Sequence, residues 1–130
     1  MPAYESQPYD TLIAGYVQPL TKVSVIVKAG SGIVTRGTVL GVIDQLPESD
    51  QYHGMYIVAP VDSTKTDGSQ DPFAILDDQE IDATTEDVRA TGFTSGEFNR
   101  HALKFGGADT IETHDLAMRK IGLITKRIVE

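Results

Sequence analysis

Alternation of apolar and polar side chains is clearest from Thr21 to Lys28, Thr-Lys-Val-Ser-Val-Ile-Val-Lys. Val23, Val25 and Val27 fall on one face, and Ser24, Ile26 and Lys28 on the other. That two-residue period predicts a strand. Gly30 to Ile43 follows and reads as a strand, a tight break at Gly37 and a second apolar strand. Val39, Leu40, Val42 and Ile43 suit a pleated, half-buried surface. Gly30, Gly32, Gly37 and Gly41 mark places where the chain turns, bulges or passes close to another backbone. Leu46 to Asp50 is a loop by composition. Met55-Tyr-Ile-Val-Ala59 predicts a short strand stopped by Pro60. Asp62 to Pro72 is a long polar connection, and Phe73-Ala-Ile-Leu76 is a short apolar run that must be buried.

The second half is less regular. Val88 to Phe93 predicts a strand entering a turn at Thr94-Ser-Gly96. Glu97 to Phe105 fits two periods. Phe98, Ala102 and Phe105 would line a helix, whereas alternate residues would line a strand, which the flanking glycines favour. The helix signal comes late. Thr113 as N-cap and Asp115 in the first turn predict a helix over 115–121. Arg119 and Lys120 fall in its last turn and Gly122 just past its end. Leu123 to Val129 then predicts a terminal strand. These elements describe one mainly β domain with a short helix, which suits a chain of 130 residues.

Met1 to Gly15 stands apart as a polar, irregular stretch in which Pro2 and Pro8 oppose helix and interior strand alike. Tyr4, Tyr9, Leu12 and Ile13 give it apolar side chains to bury. It reads either as a frayed terminus or as an arm that adds a strand to a partner's sheet edge.

Charge narrows the function. The net charge is −8, with 11 Lys plus Arg against 19 Asp plus Glu. A general nucleic-acid binder needs a basic footprint, so direct nucleic-acid binding is not expected. Lys120, Lys126 and Arg127 are the candidates for a basic patch and read as a solvated face. Cysteine is absent, which removes disulfides and thiolate metal sites. No run is long enough to cross a bilayer. The amino terminus lacks a basic segment followed by an apolar one, so no secretory signal is expected.

Candidate chemistry is sparse. The acidic stretch Asp77 to Asp87 invites a calcium reading, but it lacks the central Gly, and Val88 stands where the twelfth-position Glu belongs. It reads as a solvated acidic loop. His53, His101 and His114 show no ligand pair, and Ser31, Ser69 and Ser95 lie outside any Gly-x-Ser-x-Gly. No catalytic residue, metal or cofactor is expected.

Several phrases in order carry a likeness: Asp10-Thr-Leu-Ile-Ala-Gly15, Thr35-Arg-Gly-Thr-Val-Leu-Gly41, Pro72-Phe-Ala-Ile-Leu76, Gly96-Glu-Phe-Asn99 and Arg119-Lys-Ile-Gly-Leu-Ile124. By their order and spacing the chain resembles the head decoration proteins of tailed bacteriophages, the family of the small capsid-stabilising protein of phage lambda. The resemblance implies a β-clip-like bent ribbon or small β-sandwich. It implies a structural protein, not an enzyme, made in the host cytoplasm and carried on the outer surface of the virion. Its partners would be the major capsid protein and two further copies of itself, in homotrimers at threefold positions of the expanded head, resisting the pressure of packaged DNA. Residues 1–15 would be a flexible capsid-binding arm, through Tyr4, Tyr9, Leu12 and Ile13, and residues 16–130 the decoration domain. Other bent-ribbon trimers are dUTP hydrolases. Their Asp- and Gly-rich motifs are missing here, Asp67-Gly-Ser being the nearest phrase. A tail or baseplate interaction module is a further alternative.

Overall fold

The computed structural model describes residues 12–15, 19–47 and 54–126. In chain order its strands are β1 (Ile13–Gly15), β2 (Thr21–Val27), β3 (Gly32–Thr35), β4 (Val39–Gln45), β5 (Tyr56–Pro60), β6 (Ala74–Leu76), β7 (Glu80–Ala83), β8 (Val88–Asn99) and β9 (Leu123–Lys126). The helix α1 (Ile111–Lys120) lies between β8 and β9. The fold is mainly β with one short helix, as the periodicity predicts.

The valine alternation places β2. Val25 and Val27 are fully buried and Val23 packs against the same cluster. β2 pairs antiparallel with β8 and parallel with β5. β5 pairs with β4, β4 with β6, and β6 returns to β8. The strands therefore close into a small barrel, and closure removes open edges. Val25, Val27, Leu40, Val58, Leu76 and Ala90, drawn from every strand of the ring, form one buried cluster. Side chains thus fill the interior, as in other narrow barrels.

β3 and β7 form a separate antiparallel ribbon whose Val34, Ile81 and Ala83 join that interior cluster. The acidic stretch 77–87 is therefore not all loop. Glu80 and Asp82 are exposed while Ile81 and Ala83 are buried. A strand with only one face on the core carries its charges on the other, so its acidity concealed it.

A second cluster lies on the opposite side of the barrel wall. Val39 and Ile75 neighbour Leu40 and Leu76 in sequence and so point the other way. They pack with Leu12, Val61, Phe93, Phe98, Met118 of α1 and Leu123 of β9. The run ending at Leu76 is thus covered on both faces.

Three expectations fail at their boundaries. β8 runs straight through the expected turn at 94–96. The Thr21 hydroxyl lies 2.8 Å from that of Thr94 and 2.7 Å from that of Ser95. These polar residues are strand residues bonded across the ladder, with a register shift between Thr21 and Lys22 taking up the irregularity. The stretch 97–105 is strand only to Asn99. A 3-10 turn, Arg100–Ala102, follows, and the Asn99 side chain caps it by accepting from the His101 N–H at 3.1 Å. The helix begins at Ile111, not Asp115, with Thr110 as N-cap. Thr113 lies inside the first turn, where its hydroxyl faces the Thr110 N–H at 3.5 Å. Both threonines suit a cap, and the apolar contact of Ile111 with the second cluster favours the earlier start.

The break at Gly37 has a specific cause. Its φ is +96°, and a Cβ there would run into the carbonyl oxygen of Ala102. The Gly37 carbonyl accepts from the Lys104 N–H at 3.0 Å, and the Lys104 carbonyl accepts from Val39 N–H at 2.8 Å. Glycine here lets the loop after β8 lie against the start of β4.

Candidate functional site

β1 marks where the amino-terminal segment meets the body. Leu12 is 3% exposed and packs with Phe98 in the outer cluster. Its carbonyl accepts from the Asn99 N–H at 2.7 Å. Ile13 stands opposite Phe98 and Gly15 opposite Glu97. β9 pairs in parallel with the same end of β8, from Gly96 to Asn99. β8 is thus the middle strand of a small mixed sheet. Among the described residues, the outer edges of β1 and β9 meet no further strand. An open edge offers unpaired N–H and C=O groups to another chain.

Of the residues predicted for the arm, Leu12 and Ile13 sit in the body, and Tyr4 and Tyr9 lie outside the described residues. The expected boundary between residues 15 and 16 therefore falls at the end of β1, with 12–15 packed on β8.

Sequence reasoning did not find the carboxylate beside that strand. The Glu97 side chain is 3% exposed and forms an ion pair with Lys126 of β9. A Cβ at position 15 would stand 2.7 Å from Glu97 Oε1, so glycine there leaves room for the carboxylate. A charge this buried needs a fixed counter-charge, and the pair ties β1, β8 and β9 in one register. The apolar–polar pattern could not reveal it, because Glu97 precedes a fully buried Phe98 on a strand covered on both sides.

A second polar node fastens the helix. Asp109 accepts from the Ser63 N–H at 2.6 Å, from the Ser63 hydroxyl at 2.7 Å and from His114 Nε2 at 2.6 Å. The side chains of His114 and Asp109 are 6% and 7% exposed. Because an ionised carboxylate only accepts, the imidazole proton lies on Nε2. Phe105 stacks on the ring with centroids 5.2 Å apart. The trio holds a serine, an aspartate and a histidine, but it is not a catalytic triad. The carboxylate sits between the other two, so the imidazole does not face the serine hydroxyl it would have to deprotonate. The node joins the loop after β5 to the first turn of α1.

Its titration yields a prediction. Hydrogen bonds from His114, then from Ser63, hold the Asp109 carboxyl below the usual carboxylate range. A group whose folded value is depressed stabilises the fold above its unfolded value, about 4. That contribution is lost as pH falls through the folded value. The thermal midpoint of Asp109→Asn should lie below that of the unsubstituted chain at neutral pH, and the gap should narrow below about pH 4. Melting curves across pH would check this; a gap that does not change with pH would show that Asp109 acts through shape alone.

The family model described as Bacteriophage lambda head decoration protein D matches residues 3–122. The chain belongs to this family. The match takes in the amino-terminal segment, the barrel, the ribbon and the whole of α1. None of the curated proteins matches the chain. Membership makes this a phage head decoration protein, associated with the capsid and carried in the virion.

Other decoration-protein side chains singled out from the sequence are engaged in local structure. Ser69 donates to Asp67 Oδ1 at 2.6 Å, so the carboxylate of Asp67-Gly-Ser closes its own turn. Ser95 donates to the Pro19 carbonyl at 2.8 Å. Lys28, Ser31, Pro60, Asp62, Lys65 and Asp67 line an open groove of about 310 Å³. Asp62 is likewise engaged, by the Thr64 N–H at 3.0 Å and hydroxyl at 2.7 Å. Asp77, the first of the acidic stretch, pairs with Arg36 and with Lys22 at 3.0 Å, and both cations lie over the Phe93 ring. Among the described residues, no group of His, Asp and Glu is placed to hold a metal ion. No described helix is long and apolar enough to cross a membrane. Lys126 is paired with Glu97, Lys120 and His101 are exposed, and His53 and Arg127 lie outside the described residues.

Proposed function

We propose that this decoration protein is a capsid cement. It binds as homotrimers at threefold positions on the outer surface of the expanded head, contacts the major capsid protein and stabilises the shell against the pressure of packaged DNA. The observation that carries this reading is the family match from residue 3 to residue 122, which runs unbroken from the amino-terminal segment through the barrel.

The segment ahead of Leu12 is the arm. β1 supports this role, because it leads from the arm into the body along an edge that can be extended by a strand of the shell. Three arms on one trimer would raise effective concentration, so each modest contact reinforces the others. The net charge of −8 is no obstacle, since a protein on the outside of the shell need not touch the DNA.

The test uses expanded heads that hold packaged DNA. Adding the protein should raise the temperature at which DNA escapes by several degrees. An unchanged escape temperature at saturating protein would sink the cement reading.

A further inference from the structure

The loop between β5 and β6 holds the one Asp-Gly pair of the sequence, Asp67–Gly68, and Asn-Gly does not occur. Among aspartates, one followed by glycine is the most prone to spontaneous isomerisation, because glycine puts no side chain in the way of its own nitrogen. The Gly68 nitrogen gives up its proton and bonds to Asp67 Cγ, and one carboxyl oxygen leaves as water. Water then opens the five-membered ring at either carbonyl. Opening at the main-chain carbonyl leaves isoaspartate, with the chain rerouted through the side-chain carbon. The fold does not let another residue replace this glycine. Gly68 has φ +110°, and a Cβ there would stand 2.2 Å from the Val42 carbonyl oxygen. Asp67 in turn closes the local turn through Ser69. The labile pair is therefore imposed by the architecture.

We infer that Asp67–Gly68 is a latent isomerisation site that its loop holds shut, with Gln70 and Ser69 as the positioning residues. Both reacting groups are occupied. The Gly68 N–H donates to Gln70 Oε1 at 2.8 Å. That bond fixes the plane of the peptide whose nitrogen would have to turn towards Cγ. Asp67 Oδ1 accepts from the Ser69 hydroxyl at 2.6 Å and from the Ser69 N–H at 3.0 Å. The hydroxyl first, then the N–H, holds the Asp67 carboxyl below the usual carboxylate range, and an ionised carboxylate does not shed an oxygen as water. The frame around the pair is anchored as well. Ser69 is buried, its carbonyl accepts from the Asp62 N–H at 3.2 Å, and the Gly68 carbonyl accepts from the Asp71 N–H at 3.2 Å. The loop lies close on β4, where a Cβ on Gly41 would stand 2.6 Å from the Asp71 carbonyl oxygen and 2.8 Å from Ser69 Cα. Ring closure needs the nitrogen and Cγ brought together in an aligned geometry, and a misplacement of about 1 Å costs about 10²-fold in rate. A protein carried in the virion is not renewed by synthesis once the particle is released, so a closed site preserves it for the life of the particle.

Ageing the protein tests this. The full chain is kept for weeks at neutral pH beside two references, the same chain unfolded in guanidinium and a peptide spanning Ser63 to Phe73. Isoaspartate at position 67 is read by tryptic mapping, as a fragment of unchanged mass and shifted retention, and is located by fragmentation of the backbone. The folded chain should isomerise at least about tenfold more slowly than either reference. That comparison needs no substitution. Gln70→Met removes the acceptor at similar side-chain length and should raise the rate in the folded chain severalfold. Gln70→Glu keeps an acceptor oxygen at the same place and should restore the slow rate. Ser69→Ala should also accelerate the reaction, since it frees the carboxylate from its closest donor. Thermal midpoints taken alongside establish that each variant is folded while it ages. A folded chain that isomerises as fast as the peptide overturns the inference. So do folded Gln70→Met and Ser69→Ala variants that age as slowly as the unsubstituted chain. Equal acceleration by Gln70→Met and Gln70→Glu would trace the effect to general loosening of the loop and overturn the role given to Gln70.

Discussion

Deleting Met1 to Asp10 is expected to weaken binding to expanded, undecorated heads by about 10²–10⁴-fold while leaving the body folded. The deletion stops short of Leu12, which is buried against Phe98 and bonded to Asn99, so no described contact is lost. The residues removed carry Tyr4 and Tyr9, the side chains with most surface to bury on a partner. Ordering a segment costs roughly 1–2 kcal/mol per residue in backbone entropy, which contacts on the shell must outweigh. The loss on deletion is multiplied because all the arms of one assembly disappear together. Co-sedimentation of full-length and shortened protein with heads measures it. Equal binding by the two forms would move the anchor from the arm to the underside of the body. A longer deletion, through Ile13, is a poorer experiment, since it would strip the outer cluster as well.

Phe98→Ala should cost about 3–5 kcal/mol of stability, the usual range for emptying a large aromatic site. Phe98 is fully buried and packs on Phe93 with ring centroids 5.5 Å apart. It stands opposite Ile13 on one side and Thr125 on the other. Removing it takes away the side chain on which β1, β9 and the barrel wall converge. A domain of this size is stable by about 5–15 kcal/mol, so the variant should be folded but strongly weakened. Urea unfolding followed by circular dichroism gives the value. A loss below about 1 kcal/mol would mean that neighbouring side chains collapse into the space, and that the outer cluster is looser than its burial indicates.

The legible part of the fold was the part with one simple period. Val23, Val25 and Val27 announced β2, and Phe73 to Leu76 announced burial, though not the strand β6 (Ala74–Leu76) that it forms. Where two requirements share one stretch, composition misled. Glu80 and Asp82 hid β7 because only its inner face meets the core. Thr94 and Ser95 resembled a turn because their hydroxyls bond to Thr21, a residue more than seventy positions away along the chain. The polar nodes were illegible for the same reason of distance. Nothing near His114 points to Ser63, and nothing near Glu97 points to Lys126 or to the space left by Gly15. The order of family phrases reached further than periodicity did, because it carries long-range pairing that no local window contains.

β8 belongs to two sheets at once, and this decides how a pull is carried. The half from Val88 to Phe93 is bonded to β2 and β6 in the barrel, and the half from Gly96 to Asn99 to β1 and β9. β1 runs antiparallel to β8, so tension on the chain ahead of Leu12 acts along the direction in which β8 leaves the barrel. The two strands are then drawn from opposite ends and slide against each other lengthwise. Their hydrogen bonds and the Ile13–Phe98 contact take the load together, not one after another as when a hairpin is peeled open. Under the cement function proposed above, with the arm as anchor, a shell that swells under its contents would load the protein in its stiff direction.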